Sequence, residues 1–288
     1  MAVDAPPRPA VVPVRRSLPI GRWLLIGSVL VWFGLMILVP AVELVRRGLA
    51  EGLGPLAKAL TTPECVRAFG MTLAITAAAT AINTVFGVGC ALVLERQCFR
   101  GRAMADGLVD LPFAVSPVVA GLMLVVMYGP AGFVGRWVEA SGLRVIYAWP
   151  GMVLATTFVT IPFVVRELAP VLREFGIEQE QAAATLGAGS WRTFWRVTFP
   201  TIRWALAYGV TLTVARSLGE FGALLVVSGN LFGRTQTATL YVHDAVESFD
   251  LPGAYAASIV LAAVSVLLLV GMEALRRRVA THEDPEEV

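Results

Sequence analysis

Trp149-Pro-Gly-Met-Val-Leu-Ala-Thr-Thr-Phe-Val-Thr-Ile-Pro-Phe-Val-Val165 is an apolar run, and a polar stretch follows it that begins at Arg166. Inside that stretch lies Gln181-Ala-Ala-Ala-Thr-Leu-Gly187, with Pro200 thirteen residues beyond Gly187 and a second apolar run starting near Trp204. An arginine-bearing, glycine-broken connection between two apolar segments is built to be gripped by a soluble partner. The apolar runs say where the chain resides, and the connection says what acts on it.

Composition supports this reading. The chain has 288 residues, 57% hydrophobic and 15% charged, against roughly 25% charged in soluble domains. Its mean hydropathy is +0.72. A polytopic membrane protein fits these values. The formal charge of +2 and scattered basic residues do not suggest nucleic-acid binding. Cys65, Cys90 and Cys98 lack metal-ligand spacing and read as small packing residues, so no metal site is expected. Residues 1–21, with Pro6, Pro7, Pro9, Pro13, Arg8, Arg15 and Arg16, read as a disordered cytoplasmic tail. The apolar run after the tail is too long for a cleaved signal peptide.

Six segments are long enough to cross a bilayer, which takes roughly 20 helical residues. They run approximately over Trp23–Val45, Phe69–Leu94, Leu108–Tyr128, Trp149–Val165, Trp204–Gly229 and Ala254–Leu275. All six are expected to be α-helical, because a helix satisfies its own backbone in lipid. Pro112 and Pro117 should interrupt the third. Basic residues concentrate in the tail, around Arg96–Arg102, across Arg166–Arg203 and at Arg276–Arg278. That bias places both termini and the loop 166–203 in the cytoplasm. Arg46, Arg47, Lys58 and Arg67 in the first outer loop run against it.

Within the loop, Val171–Leu186 reads as one helix, with Leu172, Phe175, Gln179, Ala182 and Ala183 near one face. Gly187 and Gly189 supply the turn. Ser190 is placed to cap a short helix bearing Trp191, Phe194 and Trp195, and Pro200 to end it. The three aromatics fit anchors for a docked protein; headgroup-level anchoring is the plainer alternative.

Here the chain resembles a known family. Ala182, Ala183, Gly187, Val197 and Pro200 are similar in type and spacing to the coupling motif of ABC importer permeases. That motif runs Glu-Ala-Ala, three residues, Gly, nine residues, Ile, one residue, Leu-Pro. Gln181 stands where the family has Glu, with Glu180 beside it, while Val197 and Phe199 replace Ile and Leu. Asp110-Leu-Pro-Phe-Ala-Val-Ser-Pro117, Ala215-Arg-Ser-Leu-Gly-Glu-Phe-Gly222, Ser228-Gly-Asn230 and Thr235-Gln-Thr237 resemble the sulfate/thiosulfate permeases of the CysW type, with molybdate permeases close by. The resemblance covers about Phe69 to Leu275. It implies a six-helix type I importer (MetI-like) permease fold, with residues 22–66 as first helix and outer loop, 67–275 as the permease domain and 276–288 as an inner tail. It also implies a bacterial plasma (inner) membrane location and a coupling loop, carrying Gln181, Ala182, Ala183, Gly187, Trp191, Phe194, Trp195 and Pro200, that inserts into a groove on an ATPase. The implied partners are two ATPase subunits that use the ATP, a homologous permease, preferentially non-identical, and an external sulfate-binding protein.

The residues themselves carry no nucleotide-binding signature of the form G-x-x-x-x-G-K-[ST]. Neither paired aspartates nor a Ser-Lys dyad marks a catalytic centre, and His243 and His282 fall outside the spans. No cofactor and no covalent chemistry are therefore expected. An intramembrane enzyme would need such a centre, and a stand-alone anion channel would not need the docking loop. Arg216 and Glu220, four residues apart, share a helical face, and charges in a span must face protein or water. They either pair to hold the bundle or line the path of the anion, as Ser116 would between the two prolines. His243 and Asp244 read as an outer loop.

Overall fold

The computed structural model describes residues 19–50 and 52–283, which are helical with no strand. The chain divides into two units, residues 1–50 and 51–288. In the first, α1 (Pro19–Phe33) passes through a π-helical turn, Gly34–Leu38, into α2 (Val39–Gly48). Trp23, Leu30, Trp32, Met36 and Leu38 are all exposed. A helix apolar around its whole circumference is at rest only in lipid or a protein core.

The second unit begins with α3 (Leu53–Leu60) and α4 (Pro63–Arg96). Thr62 starts α4 by accepting the Cys65 N–H at 3.4 Å, ahead of Pro63 in the first turn. α5 (Arg102–Ala114) and α6 (Pro117–Tyr128) follow, bent by 112° at Val115–Ser116. The break falls just before Pro117, which bars its predecessor from helical geometry; Pro112 stays inside α5. After the short α7 (Gly135–Ala140) comes α8 (Trp149–Phe175). It supplies Met152, Val153, Ala155 and Val159 to one apolar cluster and Val164, Val165, Leu168 and Leu172 to a second. This helix is the centre of the bundle.

Its neighbours approach closely because they present glycine. A Cβ on Gly87 of α4 would lie 2.7 Å from Val164 Cβ, and one on Gly209 would lie 3.1 Å from Val164 Cα. Val164 is thus wedged between glycines of two helices, the small-residue packing that lipid-embedded helices favour. Gly89 meets nothing within 4 Å. Asn83 adds a polar tie from α4, donating to Thr157 O at 3.1 Å and Thr160 Oγ1 at 2.7 Å.

Four helices are long and apolar enough to cross a membrane among the described residues, or five if α5 and α6 count as one bent span. The sixth expected span, Trp204–Gly229, is not a single helix. α11 (Phe199–Leu218) stops, and α12 (Gly222–Val227) starts after Gly219–Phe221. Hydropathy gave no warning, because the residues on both sides of the break are apolar. The two broken segments touch each other: a Cβ on Gly222 would lie 3.1 Å from Pro117 Cβ, and one on Gly121 would lie 2.7 Å from Ala223 O. α13 (Ala238–Glu247) and α14 (Leu251–Glu283) complete the unit. The expected tail at 1–21 lies almost wholly outside the described residues, as does the end of the expected 276–288 tail.

Candidate functional site

The connection between α8 and α11 is built from breaks and one continuous rod. The expected single helix Val171–Leu186 is interrupted at Gly176, whose φ is +67°. A side chain there would be strained and its Cβ would run into the Glu178 carboxylate. α9 (Glu178–Thr185) then begins with Glu178 and Glu180 in its first turn, where the helix dipole favours acids. It closes as a Schellman motif: Ala188 N–H donates to Ala183 O at 3.0 Å and Gly187 N–H to Ala184 O at 2.9 Å. Gly187, at φ +81°, occupies the left-handed position that the motif requires.

Gly189, not Ser190, is the residue ahead of α10 (Ser190–Thr193), and no side chain caps that helix. Nor does Pro200 end the helical run. From Ser190 to Leu218 the backbone is helical throughout, through a π turn at Phe194–Thr198. Phe199 N–H reaches back five residues to Phe194 O. Proline has no N–H and crowds the carbonyl four residues earlier, and a widened turn accommodates both defects. The same device precedes Pro40, where Val39 N–H bonds to Gly34 O.

The rod carries an aromatic patch. Trp191, Phe194 and Trp195 lie with ring centroids 5.3–6.3 Å apart, and Phe199 is 5.0 Å from Trp195. Trp191 is 74% exposed and Leu186, at the end of α9, 88%. Gln181, Ala182 and Gly187 are exposed as well, and Ala183 is half-buried. Phe199 and Leu186 were not singled out from sequence; an apolar residue beside the motif glycine was the available signal.

Beneath the patch, ion pairs bind the inner ends of the helices. Glu95 holds Arg173 at 2.7 Å and Arg102 at 3.3 Å, and Arg166 holds Asp106 at 2.8 Å and Asp110 at 2.7 Å. Arg96 pairs with Glu180 at 3.1 Å. Glu180 was noted only as the neighbour of Gln181, yet it is the acid of α9 that faces the bundle.

The remaining candidates lie at the two helix breaks. Arg216 Nη1 sits 2.7 Å from Glu220 Oε2, although Glu220 is beyond the end of α11. Glu220 is fully buried, while Arg216 keeps a third of its side chain exposed. The other Glu220 oxygen accepts the Ala223 N–H at 3.0 Å, and the backbone oxygen of Glu220 accepts from Thr239 Oγ1 at 2.8 Å. One residue therefore joins α11, α12 and α13. Ser116 is exposed at the start of α6 and makes no side-chain cap. Thr235, Gln236 and Thr237 are buried in the turn before α13: Thr235 Oγ1 donates to Ser228 O at 2.7 Å, and Gln236 to Asp244. His243 and Asp244 belong to α13 rather than to a loop, with Asp244 also accepting from Asn230 at 2.7 Å.

A helical membrane bundle with a large exposed arm between two of its helices, and no catalytic constellation, defines a component of a transport system. The chain belongs to the family described as binding-protein-dependent transport system inner membrane component, whose pattern matches residues 83–281. It is 45% identical to the sulfate transport system permease protein CysW of Synechococcus elongatus, over 85% of this chain and 86% of that protein. It is 40% identical to the sulfate transport system permease protein CysT of Escherichia coli, over 92% and 95%. Among solved structures, a chain of a bacterial alginate ABC transporter in complex with its alginate-bound periplasmic protein shares the fold. The TM-score is 0.74 at 18% identity, covering 90% of this chain and 96% of that one. The expected all-α importer-permease fold is thus the fold observed, with the count and continuity of spans corrected as above.

Proposed function

We propose that this chain is the membrane-spanning permease subunit of an ATP-driven importer of sulfate or thiosulfate. In this reading it works with two ATPase subunits, a homologous but non-identical permease and an external sulfate-binding protein. The observation that carries it is the exposed arm from α9 to Trp195, an aromatic surface on a helical rod with nothing of this chain covering it. Aromatic residues of this kind supply most of the binding energy at protein interfaces. The names of the CysW and CysT relatives supply the anion and the second permease.

The chain's own part is mechanical. The arm seats on the ATPase, and ATP-driven approach of the ATPase subunits displaces the arms and reorients the path between the two faces of the membrane. Ser116, with its unengaged hydroxyl at the head of α6, and the exposed side of Arg216 line the path in this proposal. Glu220 holds the bundle around the break. The termini and the loop 166–203 lie in the cytoplasm, residues 67–275 forming the permease domain.

The test is ATP-dependent uptake of radiolabelled sulfate into vesicles holding the four components, with thiosulfate and molybdate as competitors. Uptake that proceeds without ATPase subunit or ATP would leave a channel instead. Preferential displacement by molybdate would move the assignment to that anion. Orientation has its own readout, because Cys98 is exposed while Cys65 is buried. A membrane-impermeant maleimide should label Cys98 only when the cytoplasmic face is accessible.

A further inference from the structure

α9 has no buried residue. Apolar packing therefore does not account for how this helix is fastened, and its attachment runs through one carboxylate. Arg96, the last residue of α4, brings Nε to 3.1 and 3.3 Å from the two Glu180 oxygens and Nη2 to 3.2 Å from Oε1. Its Nη1 donates to Leu172 O of α8 at 2.8 Å, and Thr198 Oγ1, in the π turn, donates to Glu180 Oε1 at 2.9 Å. Four elements converge on a single guanidinium–carboxylate contact. The side chains are 13% and 21% exposed, so solvent screens the pair far less than a surface one.

The planar guanidinium donates toward three acceptors in fixed directions. A shift of α9 must break those bonds or carry α4 with it. We propose that the Arg96–Glu180 pair is the strut that delivers displacement of α9 to α4, which makes both of them positioning residues of the arm. This rests on the reading of the arm as the ATPase-coupling element and adds the route by which its motion enters the bundle. Gln181, exposed beside Glu180, faces outward, so the two neighbours divide the work: one toward the partner, one toward the chain itself.

Glu95 provides the control. It sits beside Arg96 at the end of α4 and ties α4 to Arg102 and to Arg173 of α8 without touching α9. In the complete importer reconstituted in vesicles, Glu180→Gln and Arg96→Gln should assemble with the ATPase and still hydrolyse ATP. Sulfate moved per ATP should fall about tenfold, within the range of measured coupling energies. Glu95→Gln should keep the native ratio. Arg96→Lys, which retains the charge but cannot hold Glu180 and Leu172 O together, should fall between, and the exchange Arg96→Glu with Glu180→Arg should recover part of the loss.

An unchanged ratio in Glu180→Gln overturns the proposal, as does an equal loss in Glu95→Gln. Loss of ATPase binding in Glu180→Gln alone overturns it too, since Glu180 would then be a contact to the partner. If the charge variants fail to assemble, Thr198→Val carries the test with one bond removed. It should lower the ratio about twofold to threefold, and a native ratio would refute the strut. Absence of ATP-dependent uptake in the unsubstituted complex would instead count against the proposed function, before any variant is compared.

Discussion

α8 and α9 are separated only by Gly176 and Ile177, yet they are held by different physics. Thirteen of the 27 residues of α8 are buried, and none of the eight in α9. α8 is fixed by close packing, with Val164 wedged between Gly87 and Gly209. α9 is fixed by an ion pair and hydrogen bonds and keeps its apolar surface for something outside the chain. The lesson is that a helix whose face is reserved for a partner cannot also use that face to hold itself in place, so charge takes over the task.

Substitutions can break or sharpen this contrast. The largest effect on the chain's own stability should come from Glu220→Ala, which strips a fully buried carboxylate from Arg216 and from the Ala223 N–H. Removing one partner of a buried pair costs 3–5 kcal/mol, and since Arg216 is a third exposed, about 3 kcal/mol is expected. Glu220→Gln, which can still accept from Ala223, should cost less. Thermal unfolding of the purified complex in detergent reads both, and equal losses would show that the cap contributes nothing.

Gly87→Ala comes next. The added methyl would stand 2.7 Å from Val164 Cβ, and overpacking of this kind costs about 2 kcal/mol. Pairing it with Val164→Ala should recover part of that loss. A Gly87→Ala protein as stable as the native one would mean that the bundle is not close-packed at this point.

Trp191→Ala should have the smallest effect on stability, under about 0.5 kcal/mol, as for an exposed site away from structural features. Its effect should appear in the partner: ATPase binding weaker by about 2 kcal/mol, or roughly thirtyfold, the loss typical of an interface anchor. Titration of the ATPase subunit against the purified permease measures it. If Trp191→Ala destabilises the chain as much as Gly87→Ala does, the arm is part of the core and the contrast fails.

Much of this was legible in the sequence, and the gaps have physical reasons. Apolar length found the membrane-crossing helices α4, α8 and α14, and Pro117 marked the bend between α5 and α6. Gly187 announced its turn because only its backbone freedom suits a Schellman ending. The break at Gly219–Phe221 escaped notice because hydropathy averages over windows, and an isolated Glu between glycines barely alters the mean. Pro200 misled for a different reason: proline usually ends a helix, but a π turn just before it relieves the lost N–H and the clash. Glu180 lay hidden because which side of a short helix faces the bundle depends on where the preceding glycine breaks the chain, and Gly176 was read as helix interior.

The wide turn before Pro200 has a mechanical result. With no gap between Ser190 and Leu218, the tryptophan-bearing end and the end beside Glu220 belong to one stiff shaft, about 29 residues or roughly 40 Å long. Torque applied at its first turn would be dissipated by a flexible joint at the proline. Here it travels along the shaft to the crossing of the two interrupted segments, where Gly222 bears on Pro117.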